Sequence, residues 1–147
     1  MNVHGFRDAF DNAERLPELP GVRLATPAGY AVLKLHAWLD RLQRNEYKDG
    51  PDLGLVVEWY YGDLVHLFET RATLLAKYEF DADLAAAAAV GADMVEILSA
   101  GEVTVLQARV ENADRLLLAR HFAPPGRSWA RQREPALVNA LFESILT

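Results

Sequence analysis

From Thr26 onward the apolar residues recur with a helical period. Val32, Leu35, Leu39 and Leu42 fall at i, i+3, i+7 and i+10, on one face of a helix that runs to about Arg44. Thr26 is a capping residue, and Pro27 occupies the first helical position, where its missing N–H costs nothing. A short loop, Asn45 to Gly50, leads to Pro51, a second proline at a helix start. Leu53, Val56, Val57 and Tyr60 form the inward stripe of that second helix, and Gly62 stops it. The same periodicity predicts a third helix over 63–78 and a fourth, rich in alanine, over 81–99. A fifth spans 102–122 with Val103, Leu106, Val110, Leu117 and Leu118 inward, and a final one spans 134–146. The segment 127–133 reads as a polar, basic linker.

Before Thr26 the pattern changes. Residues 21–25 alternate Val22 and Leu24 against Arg23 between Pro20-Gly21 and Thr26-Pro27, which predicts a strand. Residues 5–13 form a weaker candidate strand that a helix would also accommodate. The expected fold is α+β and mainly α: two short strands, then a bundle of five to six helices. Residues 1–147 form a single domain, with 1–25 as strand segment and 26–147 as helical region.

Composition narrows the function classes. No cysteine is present, which excludes disulfides and thiolate metal sites. No apolar run reaches the roughly 18 residues needed to cross a bilayer. The first ten residues lack a basic segment followed by an apolar core, so a cytoplasmic location is expected. A net charge of −6 argues against an extended nucleic-acid surface, though not against a small local anion site. Basic residues cluster twice, at Arg41, Arg44 and Lys48 and at Arg127, Arg131 and Arg133.

The first of those clusters carries the candidate chemistry. Tyr30, Lys34, Trp38 and Arg41 fall within a narrow arc of the first long helix, beside its leucine face. A lysine there acts as a point charge and an arginine as a two-pronged fork, a pairing suited to phosphate. Two side chains snorkelling from an amphipathic helix would give the same pattern. Lys48, Asp49 and Asp52 then open the second helix. A first-turn aspartate facing Lys34 and Arg41 would orient the lysine or activate a hydroxyl. Carboxylates in that turn are also explained by capping and the helix dipole. Asp81 and Asp83 precede the alanine-rich helix, where capping accounts for them, and Asp8 and Asp11 have the wrong spacing for a metal pair. His4, His36, His66 and His121 show no metal-ligand spacing and read as structural, with His4 and His121 isolated and His36 opposite Lys34. No P-loop, dinucleotide fingerprint or nucleophile elbow occurs.

The order Leu-Lys-Leu-His-Ala-Trp-Leu-Asp-Arg (33–41) and Lys-Asp-Gly-Pro-Asp-Leu (48–53) resembles the C-terminal half of nucleotidyltransferases related to AbiEii-type toxins. The segments Val3-x-Gly5-Phe6, Gly21-Val-Arg-Leu-Ala25 and Val90-Gly-Ala-Asp93 extend the resemblance over about the first 100 residues. It implies a polymerase-β-like fold with a helical C-terminal region. Carried over, Lys34, Arg41 and Lys48 bind nucleotide phosphate, while Asp49 and Asp52 are catalytic. The family's Gly-Ser turn and Asp-x-Asp strand, which hold magnesium, belong upstream of Met1 and are not found here. The expectation is therefore a truncated C-terminal portion, inactive alone. It would bind nucleoside triphosphate weakly, or complete a site with a separately encoded N-terminal half, taking Mg2+ only when so completed. With the sheet's upstream strands missing, a homo-oligomer or such a complex would join through residues 3–25. A non-catalytic helical interaction module is the alternative.

Overall fold

The computed structural model describes residues 3–126 and 132–147, so Arg127 and Arg131 of the second basic group, and most of the expected linker, lie outside the described residues. Helix accounts for 69% of the chain and strand for 6%, the mainly helical α+β composition expected. The order is α1 (Phe6–Asp11), β1 (Glu14–Leu16), β2 (Leu19–Leu24), α2 (Pro27–Arg41) with a 3-10 turn over Leu42–Arg44, and α3 (Gly50–Gly62). Then follow α4 (Leu64–Thr70), α5 (Ala72–Lys77), α6 (Ala82–Ile97), α7 (Ala100–Glu111), α8 (Arg115–Arg120) and α9 (Glu134–Leu146).

Helix α6 is the axis of the molecule. Ala85 through Val90 are all buried, as a helix apolar on every side must be. It packs chiefly on α9, with α2 and α3 on its other flank. Small side chains allow that closeness: a methyl added at Gly91 would sit 2.5 Å from the Leu141 carbonyl oxygen of α9. Asp81 caps α6 by accepting from the Leu84 amide and also pairs with Arg133, so capping does explain this aspartate.

Three expectations are corrected. Residues 5–13 are not a strand; most of that segment is α1. Ala9 is buried against Gly29 of α2, and Asp8 accepts from the Ser99 amide and hydroxyl at the start of α7. The two-stranded antiparallel sheet instead pairs β2 with Glu14–Leu16, in register Glu14 to Leu24 and Arg15 to Arg23 with an irregularity after Arg15.

The expected third helix breaks at Arg71, whose side chain turns inward to Asp93 of α6, giving α4 and α5. The expected fifth helix breaks over 112–114, where Asp114 caps α8 through the Leu117 amide.

The N-terminal half of α3 is held against the segment after α8. A methyl at Gly50 would lie 2.6 Å from the His121 carbonyl oxygen, and one at Gly54 would lie 1.9 Å from that of Phe122. No residue but glycine tolerates such an approach at Gly54. This contact fixes where α3 begins, and therefore where Asp49 stands relative to α2.

Candidate functional site

Lys34 and Arg41 are seven residues apart on α2, two helical turns, so their side chains leave the same face. That face meets the start of α3. Arg41 donates through Nη1 to Asp49 Oδ2. Lys34 Nζ lies 2.7 Å from Asp52 Oδ2 and 3.5 Å from Asp49 Oδ1. Arg41 Nε also reaches Glu46 at 3.8 Å, and Arg44 Nε reaches the same carboxylate at 3.5 Å. The structure thus brings Lys34, Arg41, Asp49 and Asp52 together. It leaves Lys48 apart: that side chain is exposed and has no ion pair or hydrogen bond among the described residues.

Asp49 stands at the N-cap of α3, yet its carboxylate caps nothing. It is 1% exposed, whereas Lys34 and Arg41 remain 28% and 29% exposed. Capping therefore does not explain Asp49. A buried carboxylate instead holds two cations that keep part of their surface in solvent. Burial pulls the Lys34 ammonium down, but the Asp52 hydrogen bond, with the added attraction of Asp52, Tyr30 and Asp49, outweighs it and leaves the pKa above that of an ordinary lysine. The Asp49 hydrogen bond raises the Arg41 guanidinium further still. Both cations stay charged across the physiological range.

The aromatic residues divide. Tyr30 stays on this face, with Lys34 Nζ 5.2 Å from its ring centroid and the half-exposed Trp59 ring 6.0 Å away. Trp38 does not line the cationic face. It lies at the core-ward edge of the arc and is buried against Tyr47 and His121. His121 is not isolated either: its ring stacks on Tyr47 at 4.4 Å.

Chemically, Asp49 is closed to solvent and holds Arg41 and Lys34 in place. Asp52, 32% exposed, is the carboxylate of the pair that an incoming hydroxyl can reach. The pair does not fit a magnesium ion, because both Asp49 oxygens already face cations that would repel a third. Among the described residues no group of three or more His, Asp or Glu side chains converges on a metal position.

Two further clusters were not legible in the sequence. Tyr60 donates to Asp93 at 2.6 Å, and Arg71 joins Asp93 and Glu96 across α4–α6. Burial, with Asp93 beside it, pushes the Tyr60 phenol well up, so it stays protonated. On the far face of α2, His36 is 2% exposed. Arg109 donates to its Nδ1 at 2.7 Å and to Asp40 at 2.5 Å. His4 is not isolated: its ring lies 5.6 Å from that of His36, and its Nδ1 is 3.5 Å from Glu102. The partners are 22 or more residues apart in the chain, so no local spacing signals them. Comparison of the chain with protein-family models, curated proteins and solved structures finds no match.

Proposed function

We propose that the chain is a nucleotidyltransferase-like portion. Lys34 and Arg41 take up a nucleotide's phosphate weakly, and the reaction site is completed by carboxylates of another chain. One observation carries this reading. A wholly buried aspartate caps no helix and is spent on positioning two cations that still face solvent. The sequence resemblance assigns phosphate contact to the same two residues. Lys48, exposed one residue before Asp49 and outside the cluster, is free to swing a further positive charge towards a triphosphate tail. Asp49 acts as a positioning residue, and Asp52 is the carboxylate open to an acceptor hydroxyl. Any magnesium would come with the completing chain, since both Asp49 oxygens already face cations.

The test is titration of the whole chain with ATP, GTP, CTP and UTP, followed by backbone amide shifts. Shifts should concentrate on residues around 34, 41 and 48 and vanish in Lys34→Met with Arg41→Met. Lys48→Met alone should weaken them while leaving the melting temperature unchanged. Shifts elsewhere, or none at millimolar nucleotide, would sink the reading. With Mg2+ or Mn2+ and candidate acceptors, the isolated chain should transfer no nucleotide.

A second reading, a non-catalytic interaction or oligomerisation module, is favoured by the hairpin. Leu19, Val22 and Leu24 are half-exposed, and the two-stranded sheet leaves an open edge on each strand. Such edges pair with another chain. Residues 3–25 are accordingly the proposed junction for a second copy or a separately encoded N-terminal half.

A further inference from the structure

We infer that the groove between α1 and the β1–β2 hairpin binds an extended, acidic segment of a partner protein, with an apolar anchor side chain flanked by carboxylates. The groove encloses about 430 Å³. Its apolar lining includes Ala9, Ala13 and Leu33, with Phe6 and Phe10 from α1. Both phenylalanines are half-exposed, and their rings stack at 6.3 Å. This is room for one large apolar side chain and its neighbours.

From the hairpin, Arg15 and Arg23 line it. They are direct cross-strand partners, so their side chains leave the same face of the hairpin. Like charges placed opposite each other on two strands repel. Neither arginine has a carboxylate partner among the described residues; Arg15 is exposed, whereas Arg23 is half-buried in a chain of net charge −6 whose Lys34, Arg41, Arg71 and Arg109, also half-buried, are each paired. Arg23 is also held in position. Its Nη1 donates to the Phe10 carbonyl at 3.2 Å, and its guanidinium lies 4.4 Å from the Phe10 centroid. A positioned Arg23 guanidinium, with Arg15 directly across the strands from it beside an apolar cleft, is complementary to carboxylates, which arginine binds with two parallel hydrogen bonds.

The surroundings choose among anions. Asp11, Glu14 and Glu18 flank the groove and are exposed. They oppose a polyanion or an anionic bilayer, which would have to sit over all of them, but not one or two carboxylates placed at the arginines. Apart from the two arginines, the lining has no polar side chain to read a nucleobase. The open strand edges supply N–H and C=O groups that a peptide backbone satisfies. The groove shares no residue with the Lys34–Asp49 cluster, and the inference stands whether or not that cluster meets phosphate.

The experiment is selection of a short random-peptide display library on the immobilised whole chain. Selected peptides are then remade with a fluorophore and titrated by anisotropy. Enriched sequences should place Asp or Glu within two positions of Phe, Leu, Ile or Trp. Arg15→Glu with Arg23→Glu should weaken them at least roughly tenfold, and peptides with Lys in place of the acidic residues should recover binding to that variant. Lys48→Glu should leave affinity unchanged. Selection of carboxylate-free peptides, no selection at all, or indifference to the Arg15/Arg23 reversal would overturn the inference. Arginine-dependent binding to phosphatidylserine vesicles without peptide selection would overturn it in favour of a membrane. Circular dichroism on each variant separates loss of binding from loss of fold; both arginines lie on the surface hairpin, outside the core.

Discussion

Arg41 and Asp49 meet across the turn that joins α2 to α3. The buried aspartate stands where a helix cap is expected, but it caps no amide. The pair is asymmetric: the carboxylate is out of water and the guanidinium is partly in it.

That asymmetry predicts an order of effects. Arg41→Met leaves a buried carboxylate with only Lys34, at 3.5 Å, and should be the more destabilising of the two changes at this pair. Asp49→Asn leaves two cations that can turn to solvent and should cost about 1–2 kcal/mol. Urea unfolding of both variants measures the difference. An equal or reversed order would mean that Asp49 is not the desolvated partner.

His36 should make the fold acid-sensitive. Burial, reinforced by the Arg109 and His4 charges and opposed by Glu102 and Asp40, pushes its pKa down to about 4 from an ordinary 6.5. Above 6.5 the ring is neutral in the folded and the unfolded chain alike. Between 6.5 and 4 the unfolded chain takes up a proton that the folded chain refuses, so stability falls as pH falls. The full loss from this one group is up to about 3 kcal/mol. Urea midpoints at neutral pH and at pH 4 should differ less in His36→Gln than in the natural chain; an unchanged difference would assign the acid sensitivity elsewhere.

Close backbone contact makes Gly54 irreplaceable. Gly54→Ala drives a methyl into the Phe122 carbonyl and should cost at least about 2–3 kcal/mol. Gly101→Ala, in the first turn of α7 with open space around it, should instead stabilise by about 0.5 kcal/mol. Thermal melts of the two variants should move in opposite directions.

Association should run through the hairpin. Sedimentation at rising protein concentration should show a larger species that Val22→Pro abolishes without altering helix content. A monomer at every concentration would remove the oligomer from the proposal. The Arg15/Arg23 peptide test is distinguishable from this outcome, because reversing the two arginine charges acts on the groove wall while Val22→Pro acts on the strand edge.

Several elements are legible in the sequence because local chemistry sets them. Thr26 and Pro27 start α2, Asp81 starts α6, Gly62 closes α3, and the leucine and alanine patterns mark the buried faces. Lys34 and Arg41 are likewise visible as neighbours on one helix face, because a helix repeats every 3.6 residues whatever surrounds it. Tertiary structure alone decided the rest. Residues 6–11 became a helix because Ala9 fits against Gly29 and Asp8 reaches Ser99. Arg71 broke a periodic run because Asp93 draws its side chain inward. Asp49, free by sequence to cap its own helix, turned to Arg41 because the closeness of Gly50 and Gly54 to the 121–122 backbone sets the start of α3 beside α2. Local pattern specifies which residues share a face. Which partner each buried charge or polar group finds depends on how the helices pack, because such groups must be satisfied by whatever the packing brings within reach.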